Sequence, residues 1–444
     1  MKWGVILMVL FLLTSLASFQ VRAESETPKN VILMIGDGMG TAHITLTRIL
    51  SGELNMDQFS AGGLATTYSN NNLITDSAAA GTALATGHKT NNGVISQSPD
   101  HRDLKTVLEI AKENGMGTGI ITTSRITDAT PACFYAHTEN RDEEDAIAEQ
   151  LVNAGVDVIL GGGQSHFLQS GTEGSKREDS LDLVNEFKNI GYEIVSNKSE
   201  MLKASQSPVV GLFTPAEMSF ELDRRAEEPS IAEMTKKAIQ LLNGKREGFF
   251  LMIEGGRIDH EAHANDAAGV VAEVKAFDDA IGTALNFARE DGKTLVIVTA
   301  DHSTGGLTLG RGTKQWYDPE LLRSADISFE KFASLLMEGK DIKESLAEHY
   351  GIADLTEEEV KKIDDVVKTK KLYDIEAVIG GVISKRTNIV FTTTQHEGSA
   401  VPLLTYGPGA FGGFMDNTEV GETVNELLAG EERNIFSRLM ERIC

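Results

Sequence analysis

The chain alternates short apolar runs with segments of helical periodicity along almost its whole length. The apolar runs are rich in Val, Ile and Leu, as strands buried on both faces are. Such strands separated by helices predict a mostly parallel central sheet with helices on both faces, so we assign the chain to the α/β class. The candidate strands are residues 30–35, 63–68, 117–122, 156–160, 192–195, 209–213, 248–253, 294–299, 388–392 and 401–406.

Helical periodicity falls between most of these runs, at residues 103–114, 143–154, 230–243, 266–289 and 417–429. One section is different, because from about residue 313 to residue 385 the chain is charged and helical without an apolar run. It lies between two candidate strands, which predicts a helical insertion on the outside of the sheet. A lid or a subunit contact is one interpretation, and a solvated surface excursion is the alternative.

The first 23 residues have the features of a secretory signal peptide. Lys2 precedes a short apolar run at residues 4–13, and small residues precede the expected cleavage site after Ala23. A membrane span needs about 20 apolar residues, so the run is short for a signal anchor, and Arg22 also disfavours that alternative. We therefore expect export to the periplasm or the medium, one catalytic domain at residues 24–444, and no membrane anchor after cleavage.

The chain is strongly acidic, with a formal net charge of −25. Removing the leader with Lys2 and Arg22 leaves 39 basic against 66 acidic residues, a charge of −27. Such a surface argues against nucleic acid or an anionic membrane as a partner. An anionic substrate would need local positive charge, which metal ions supply most simply.

Two cysteines, Cys133 and Cys444, are too few for a disulfide framework. An exported protein can pair them, but they are far apart in sequence and one is the last residue. We expect two free thiols, with Cys133 buried.

Residues 75–87 predict a helix that places a serine at its first turn. Asp76 can cap the helix, alanines follow Ser77, and Gly87 can end it. A helix N-terminus presents unpaired N–H groups and favours an anion such as phosphate. The serine is therefore a candidate nucleophile, and an ordinary capped, alanine-rich core helix is the alternative.

Four of the candidate strands end in Asp, Glu or His, which is a pattern expected of a metal site. Each residue alone has an ordinary explanation as a turn, a cap or a structural histidine. Because the carboxyl ends of parallel strands lie at one edge of a sheet, we expect the four sets to converge. Asp and His ligands suit zinc, and added hydroxyl and carboxylate oxygens suit magnesium. The four strand ends are Gly36-Asp37-Gly38, Glu254 to His263, Ala300-Asp301-His302, and Gln395-His396-Glu397.

With these motifs in order, the chain resembles the alkaline phosphatase family over nearly all of its length after the leader. Each motif is modest alone, and their combination and order are specific. Besides the four strand ends, the resemblance rests on Asp76-Ser77-Ala78-Ala79 and on Asp128-Ala129-Thr130-Pro131-Ala132 with Arg141.

The resemblance implies two zinc ions and one magnesium ion per subunit. It implies that one zinc is held by Asp259, His263 and His396. It implies that the second zinc is held by Asp37, Asp301 and His302. It implies that magnesium is held by Asp37, Thr130 and Glu254.

It further implies hydrolysis of a broad range of phosphate monoesters at alkaline pH, by a homodimer. Ser77 is the implied nucleophile, which forms a phosphoserine, and Arg141 is the implied phosphate ligand, although acidic neighbours also fit a surface arginine. Asp128 matches a residue that supports the magnesium ligands. His260 matches a position where members of the family carry Lys, His or other residues. Contact with phosphate through water is one interpretation of it, and a structural histidine is the alternative.

Two other functions fit parts of the pattern. A phosphodiesterase or sulfatase of the same superfamily would use a related site, but sulfatases carry a modified Cys or Ser in a motif that Asp76-Ser77-Ala78 does not resemble. An exported protein that only binds phosphate or metal needs neither a positioned serine nor a second zinc.

Overall fold

A ten-stranded sheet forms the centre of the computed structural model, which describes residues 27–313 and 315–429. The leader predicted for residues 1–23 and the second cysteine, Cys444, lie outside the described residues. Nine strands run in one direction, and the strand Val401–Tyr406 runs against both of its neighbours. The sheet is therefore mostly parallel, as predicted.

Strands are numbered in chain order through the described residues. The strands are β1 Asn30–Gly36, β2 Ala61–Thr66, β3 Gly117–Arg125, β4 Val158–Gly162, β5 Glu193–Val195, β6 Val209–Leu212, β7 Phe249–Gly255, β8 Thr294–Thr299, β9 Ser303–Thr304, β10 Leu307–Leu309, β11 Ile389–Phe391, β12 His396–Glu397, β13 Val401–Tyr406 and β14 Gly413–Asp416. Across the sheet the order is β14-β2-β13-β8-β1-β7-β3-β4-β6-β5, and the other four strands form two small antiparallel ribbons, β10 with β11 and β12 with β9.

Helices connect most of the strands, and three short 3-10 helices lie at Asn55–Gln58, Gln164–His166 and Glu320–Ser324. The α-helices of the described residues are α1 Thr41–Ser51, α2 Ser77–Thr86, α3 Val107–Glu113, α4 Ala129–Ala132, α5 Glu144–Ala154, α6 Leu183–Asn189, α7 Lys198–Lys203, α8 Ile231–Leu242, α9 Arg257–His263, α10 Ala267–Asp291, α11 Phe329–Met337, α12 Ile342–Tyr350, α13 Glu357–Val367, α14 Leu372–Thr387 and α15 Asn417–Ala429.

Strand β1 shows how the sheet is covered on both faces. All seven of its residues are buried between the parallel neighbours β7 and β8. Because side chains alternate along a strand, Leu33 and Ile35 join the core on one face, and Ile32 and Met34 join the core on the other. Burial on both faces explains the continuous apolar sequence of the strand.

The section between β10 and β11 is largely helical and has a hydrophobic core of its own. Phe329, Phe332 and Tyr350 are buried there, and this core also includes Leu46 and Leu50 of α1. Helices α11 to α14 lie in this section, which matches the helical character read from residues 313–385. Its role as a lid or subunit contact stays a prediction.

The prediction that residues 388–392 add a strand to the central sheet is wrong. Ile389–Phe391 instead pairs antiparallel with Leu307–Leu309 in a separate two-stranded ribbon. Asn388 ends helix α14 in a left-handed conformation with φ of 55°, so the chain turns sharply there. Only the three residues that follow, Ile389–Phe391, then form a strand. Among the described residues no helix has the length and apolar character needed to cross a bilayer.

Candidate active site

Strands β1, β7 and β8 are neighbours in the sheet, and their carboxyl ends deliver the acidic motifs to one place. In the register, Ile35 lies opposite Glu254 on one side and Thr299 on the other. Asp37 follows the first strand, helix α9 begins at Arg257 directly after the second, and Asp301 follows the third. The convergence expected for these three strand ends is confirmed by the geometry.

Ser77 is the first residue of helix α2 and faces the same place. The side chain of Asp76 caps the helix by accepting a hydrogen bond from the Ala79 N–H at 3.0 Å, and Gly87 ends the helix with φ of 77°. All ten residues of the helix are buried. The Oγ of Ser77 lies 3.2 Å from Nε2 of His302, so the serine reaches the acidic cluster.

A first set of side chains able to bind a metal ion consists of Asp37, Asp301 and His302. One ligand atom from each lies within 4.8 Å of the others. His302 Nε2 lies 3.1 Å from Asp301 Oδ2 and 3.5 Å from Asp37 Oδ1. The backbone N–H of Gly38 donates to Asp301 Oδ1 at 3.1 Å. Gly38 has φ of 67°, and a Cβ there would lie 2.7 Å from Asp259 Oδ1, so the turn requires glycine.

A second group joins Asp259 and His396 to the same His302. The rings of His302 and His396 stack with centroids 3.6 Å apart. His263 lies next to this group, since its Nε2 is 3.1 Å from Asp259 Oδ2 and its ring centroid is 5.1 Å from that of His396. All six residues expected to hold zinc are therefore together, and their division between two ions stays a prediction.

The hydrogen bonds of the histidines fit metal binding. Nδ1 of His263 lies 2.6 Å from the Thr394 carbonyl oxygen, and Nδ1 of His396 lies 3.0 Å from that of Thr75. A carbonyl can only accept, so each Nδ1 carries the proton and each Nε2 keeps its lone pair for a metal. Asp37 Oδ1 and Asp301 Oδ2 are buried without a hydrogen-bond partner among the described residues, which also suits ligands of an ion.

The pKa values of the buried carboxylates also fit a bound metal ion. Burial, and then the charges of Asp301 and Asp259, raise the pKa of Asp37 well above its usual value. Burial also raises the pKa of Asp301 to about 6 and that of Glu254 to about 8. Carboxylates so crowded favour a bound cation, which offsets their mutual repulsion.

The residues expected to hold magnesium lie on the other side of Asp37. Thr130 Oγ1 donates to Asp37 Oδ2 at 3.3 Å. Glu254 accepts a short hydrogen bond from the Thr122 hydroxyl. The hydroxyl and the two carboxylates are oxygen ligands of the kind that magnesium prefers.

Asp128 and Arg141 form an ion pair at the edge of this oxygen-rich group. Arg141 Nη2 donates to Asp128 Oδ1 at 3.2 Å, and its Nη1 donates to Asp76 Oδ2 at 3.3 Å. Asp128 Oδ2 accepts from Ser124 Oγ at 2.7 Å. Arg141 is thus held from two sides beside Ser77, and it is not a free surface arginine.

The ring of His260 is held by Arg257. Arg257 Nη1 lies 2.8 Å from His260 Nδ1, and the guanidinium stacks on the ring of Phe220. An arginine can only donate, so Nδ1 of the histidine accepts and its proton lies on Nε2. Burial, and then the charge of Arg257, lower the pKa of His260 to about 4, which keeps the ring neutral.

Sequence reasoning missed several residues that hold these groups in place. Thr304 donates a short hydrogen bond to Asp259 and lies 3.2 Å from His302 Nδ1. Thr122 and Ser124 support Glu254 and Asp128. The available signal was the run Thr122-Thr123-Ser124-Arg125, because polar residues closing a buried strand point to the ligand edge of the sheet.

Cys133 lies beneath α2, buried, with its Sγ donating to the Ala78 carbonyl at 3.2 Å. Burial raises the pKa of the Cys133 thiol to about 12. The prediction that Cys133 is a free and buried thiol is confirmed.

Comparisons with known proteins identify a family for this chain. A family model described as alkaline phosphatase matches residues 28–429. Alkaline phosphatase 3 of Bacillus subtilis is 38% identical over 428 residues, covering 92% of this chain and 90% of that protein. Alkaline phosphatase 4 of the same organism is 39% identical over 434 residues, covering 94% and 92%. The crystal structure of a cold-active alkaline phosphatase from a Shewanella species superposes with a TM-score of 0.83 at 31% identity, covering 90% of this chain and 99% of that chain.

Proposed function

The chain belongs to the alkaline phosphatase family of phosphoric monoester hydrolases, and from this membership we propose a metal-dependent reaction through a phosphoserine. In the proposal Ser77 is the nucleophile, the substrate range is broad and the pH optimum is alkaline. The observation that carries the proposal is the position of Ser77, whose Oγ lies 3.2 Å from His302 at the edge of the metal-binding groups.

The nucleophile gains from its place at the start of α2. The N–H groups of a helix N-terminus carry partial positive charge, which favours both a phosphate and the alkoxide of the serine. The cap by Asp76 fixes the first turn, so the hydroxyl is held in one direction. Preorganisation of this kind lowers the cost of reaching the reactive geometry.

Arg141 is proposed to bind two oxygens of the phosphate. Its planar guanidinium matches two oxygens at once, which an ammonium does less well. The contacts with Asp76 and Asp128 orient the fork before substrate arrives. In the same proposal His260 acts as an Nε2–H donor toward the phosphate through water.

Two zinc ions and one magnesium ion are proposed as cofactors. Asp259, His263 and His396 would hold one zinc ion, and Asp37, Asp301 and His302 the other. Asp37, Thr130 and Glu254 would hold magnesium, with Asp128 supporting this group. When bound, these ions would supply positive charge to the nucleophile, the phosphate and the leaving oxygen.

The proposed cycle has two displacements at phosphorus. Ser77 Oγ forms a bond to phosphorus as the ester bond breaks and the alcohol leaves with a proton. Water then attacks the phosphoserine, which returns the serine hydroxyl and releases inorganic phosphate. Two in-line inversions give net retention of configuration at phosphorus.

A homodimer is proposed for the assembled enzyme. Leu73 is 84% exposed on the loop before Ser77, and Tyr68, Ile74 and Phe414 are exposed as well. Large apolar side chains exposed in one region are typical of a protein interface. Light scattering tests this, since Leu73→Glu should shift a dimer toward monomer, and a wild-type monomer would exclude it. Export remains a proposal from the leader at residues 1–23.

The experiment that tests the proposed function is hydrolysis of an aryl phosphate at pH 7 to 10 by the mature chain. We expect alkaline activity that a chelator abolishes and that zinc with magnesium restores. Preference for a phosphodiester would favour a diesterase, and metal-loaded protein that releases no product would favour a binding protein.

A further inference from the structure

A cavity of about 1400 Å³ opens beside the candidate active site, between the catalytic core and the helical insertion. His260 and His263 line its inner end. One wall is the loop after β6, from Phe213 to Glu228, and the opposite wall is made by one face of α11 and the start of α14. A cavity of this size holds more than a phosphate, since ligand pockets are typically about 300–1,000 Å³.

The walls of the cavity are tied together by hydrogen bonds. Asp223 of the loop accepts from the backbone N–H of Ser328 at 3.2 Å and from its hydroxyl at 2.6 Å. Asp266, which follows α9, accepts from the backbone N–H of Phe329 at 2.9 Å. The start of α11 is therefore anchored both to the loop after β6 and to the residue that caps α10, so the cavity is a preformed part of the fold.

Acidic side chains dominate the lining. Seven carboxylates and three Lys or Arg side chains line the cavity, and one of the carboxylates, Glu217, is paired with Arg125 from outside it. Two of the cations, Arg225 and Lys331, are exposed, and the buried Arg257 is engaged by His260 and Phe220 at the inner end. The outer part of the cavity therefore favours positive charge.

Glu376 of α14 is the most informative of these carboxylates. Its side chain lines the cavity, is only 6% exposed, and has no hydrogen bond or ion pair with any described residue. Burial, and then the charge of Glu330 across from it, raise the pKa of Glu376 to about 7. At alkaline pH this carboxylate is ionised, and it faces the cavity without a charged partner among the described residues.

We propose that this cavity binds the alcohol part of the substrate and selects phosphate monoesters whose alcohol carries a positively charged amine, with Glu376 as the principal partner of the amine and Glu330 as an accessory one. The inference rests on the proposed function, because in-line attack by Ser77 sends the leaving oxygen away from the serine. His263 lines the inner end of the cavity, and the rings of His302 and His396 connect it to Ser77. The cation would offset the unpaired charge of Glu376.

The test is a matched series of alkyl phosphates. Each pair has the same chain, from two to eight carbons, and ends either in trimethylammonium, which is charged at every pH, or in the neutral tert-butyl group. We expect kcat/KM for the cationic member to exceed that for the neutral one by about tenfold at the best chain length, as for a partly buried charge pair. Equal values at every length would overturn the inference.

Variants locate the effect. Glu376→Gln keeps the shape and should remove most of the preference, while activity on a small aryl phosphate stays unchanged. Glu330→Gln, at an exposed position, should reduce the preference about twofold. The control is Glu290→Gln. Glu290 lies at the far end of α10, more than twenty residues from the start of that helix near the cavity, so this variant should keep the full preference for the cationic substrates. A preference that survives in Glu376→Gln would contradict the assignment.

The same series separates the two proposals. Hydrolysis of both members of every pair at equal rates overturns only the amine selectivity. A metal-loaded chain that hydrolyses neither the series nor the aryl phosphate overturns the proposed function itself.

Discussion

Ser77 Oγ lies 3.2 Å from His302 Nε2, at the first turn of a buried helix that the side chain of Asp76 caps. If Ser77 is the nucleophile, Ser77→Ala should lower kcat by at least about 10³-fold, because only weak attack by water remains. Steady-state hydrolysis of an aryl phosphate measures this. Ser170→Ala changes an exposed loop serine and should keep full activity, whereas full activity in Ser77→Ala would exclude the mechanism.

Arg141 is held by Asp76 at 3.3 Å and by Asp128 at 3.2 Å. Replacement by lysine keeps the charge but loses the planar fork, so Arg141→Lys should raise KM and the inhibition constant for inorganic phosphate by about tenfold. The effect on kcat should be smaller. Unchanged phosphate inhibition in this variant would show that the guanidinium does not bind the phosphate.

Removal of metal should destabilise the fold. Asp37, Asp301 and Glu254 are buried together, and without a cation their charges repel. Chelator treatment should therefore lower the melting temperature by about 5 °C or more, and zinc with magnesium should restore it. Calorimetry of both forms measures the shift. Identical melting curves for protein whose metal loss is verified by elemental analysis would argue against the predicted cofactors.

His137 should make stability depend on pH. Burial alone would lower the pKa of His137, but its hydrogen bond to Glu109 at 3.1 Å, with a further bond to the Ser96 carbonyl, outweighs burial and raises the pKa above 6.5. The folded state thus binds the proton more tightly than the unfolded state. This stabilisation is present below pH 6.5 and is lost as pH rises through the raised value.

The matched variants are His137→Gln and His101→Gln, the latter at an exposed histidine. Between pH 6 and 9 the melting temperature of wild type should fall by about 1–2 °C more than that of His137→Gln. His101→Gln should follow wild type. Parallel curves for wild type and His137→Gln would show that the ion pair contributes nothing.

The α/β architecture could be predicted because its strands are buried on both faces and read as continuous apolar runs. Strand β1 is the clearest case, since all seven residues are buried. The sites of Asp37 and Asp301 followed from the same reasoning, because each comes just after such a strand, and Asp259 lies in helix α9, which follows strand β7. The helix that begins at Ser77 could be predicted because its two ends are set by local residues: Asp76 caps the N-terminus and Gly87 ends the helix.

His396 shows where this reasoning fails. It reaches the cluster on the two-residue strand β12, which pairs with β9 directly after His302, and not from a strand of the central sheet. Pairing of this kind depends on contacts far apart in sequence, and a two-residue strand has no periodicity to detect. Thr304 and Arg257 were missed for a related reason, since their partners become visible only when the chain is folded.

The most direct test of the central claim is to trap phosphate on the enzyme. Metal-loaded protein would be mixed with an aryl phosphate, quenched in acid, digested and analysed by mass spectrometry. The mechanism predicts one phosphate on the peptide that contains Ser77, at that residue, and none in Ser77→Ala. Turnover with no phosphate on this peptide, or with inversion at phosphorus for a chiral substrate, would contradict it.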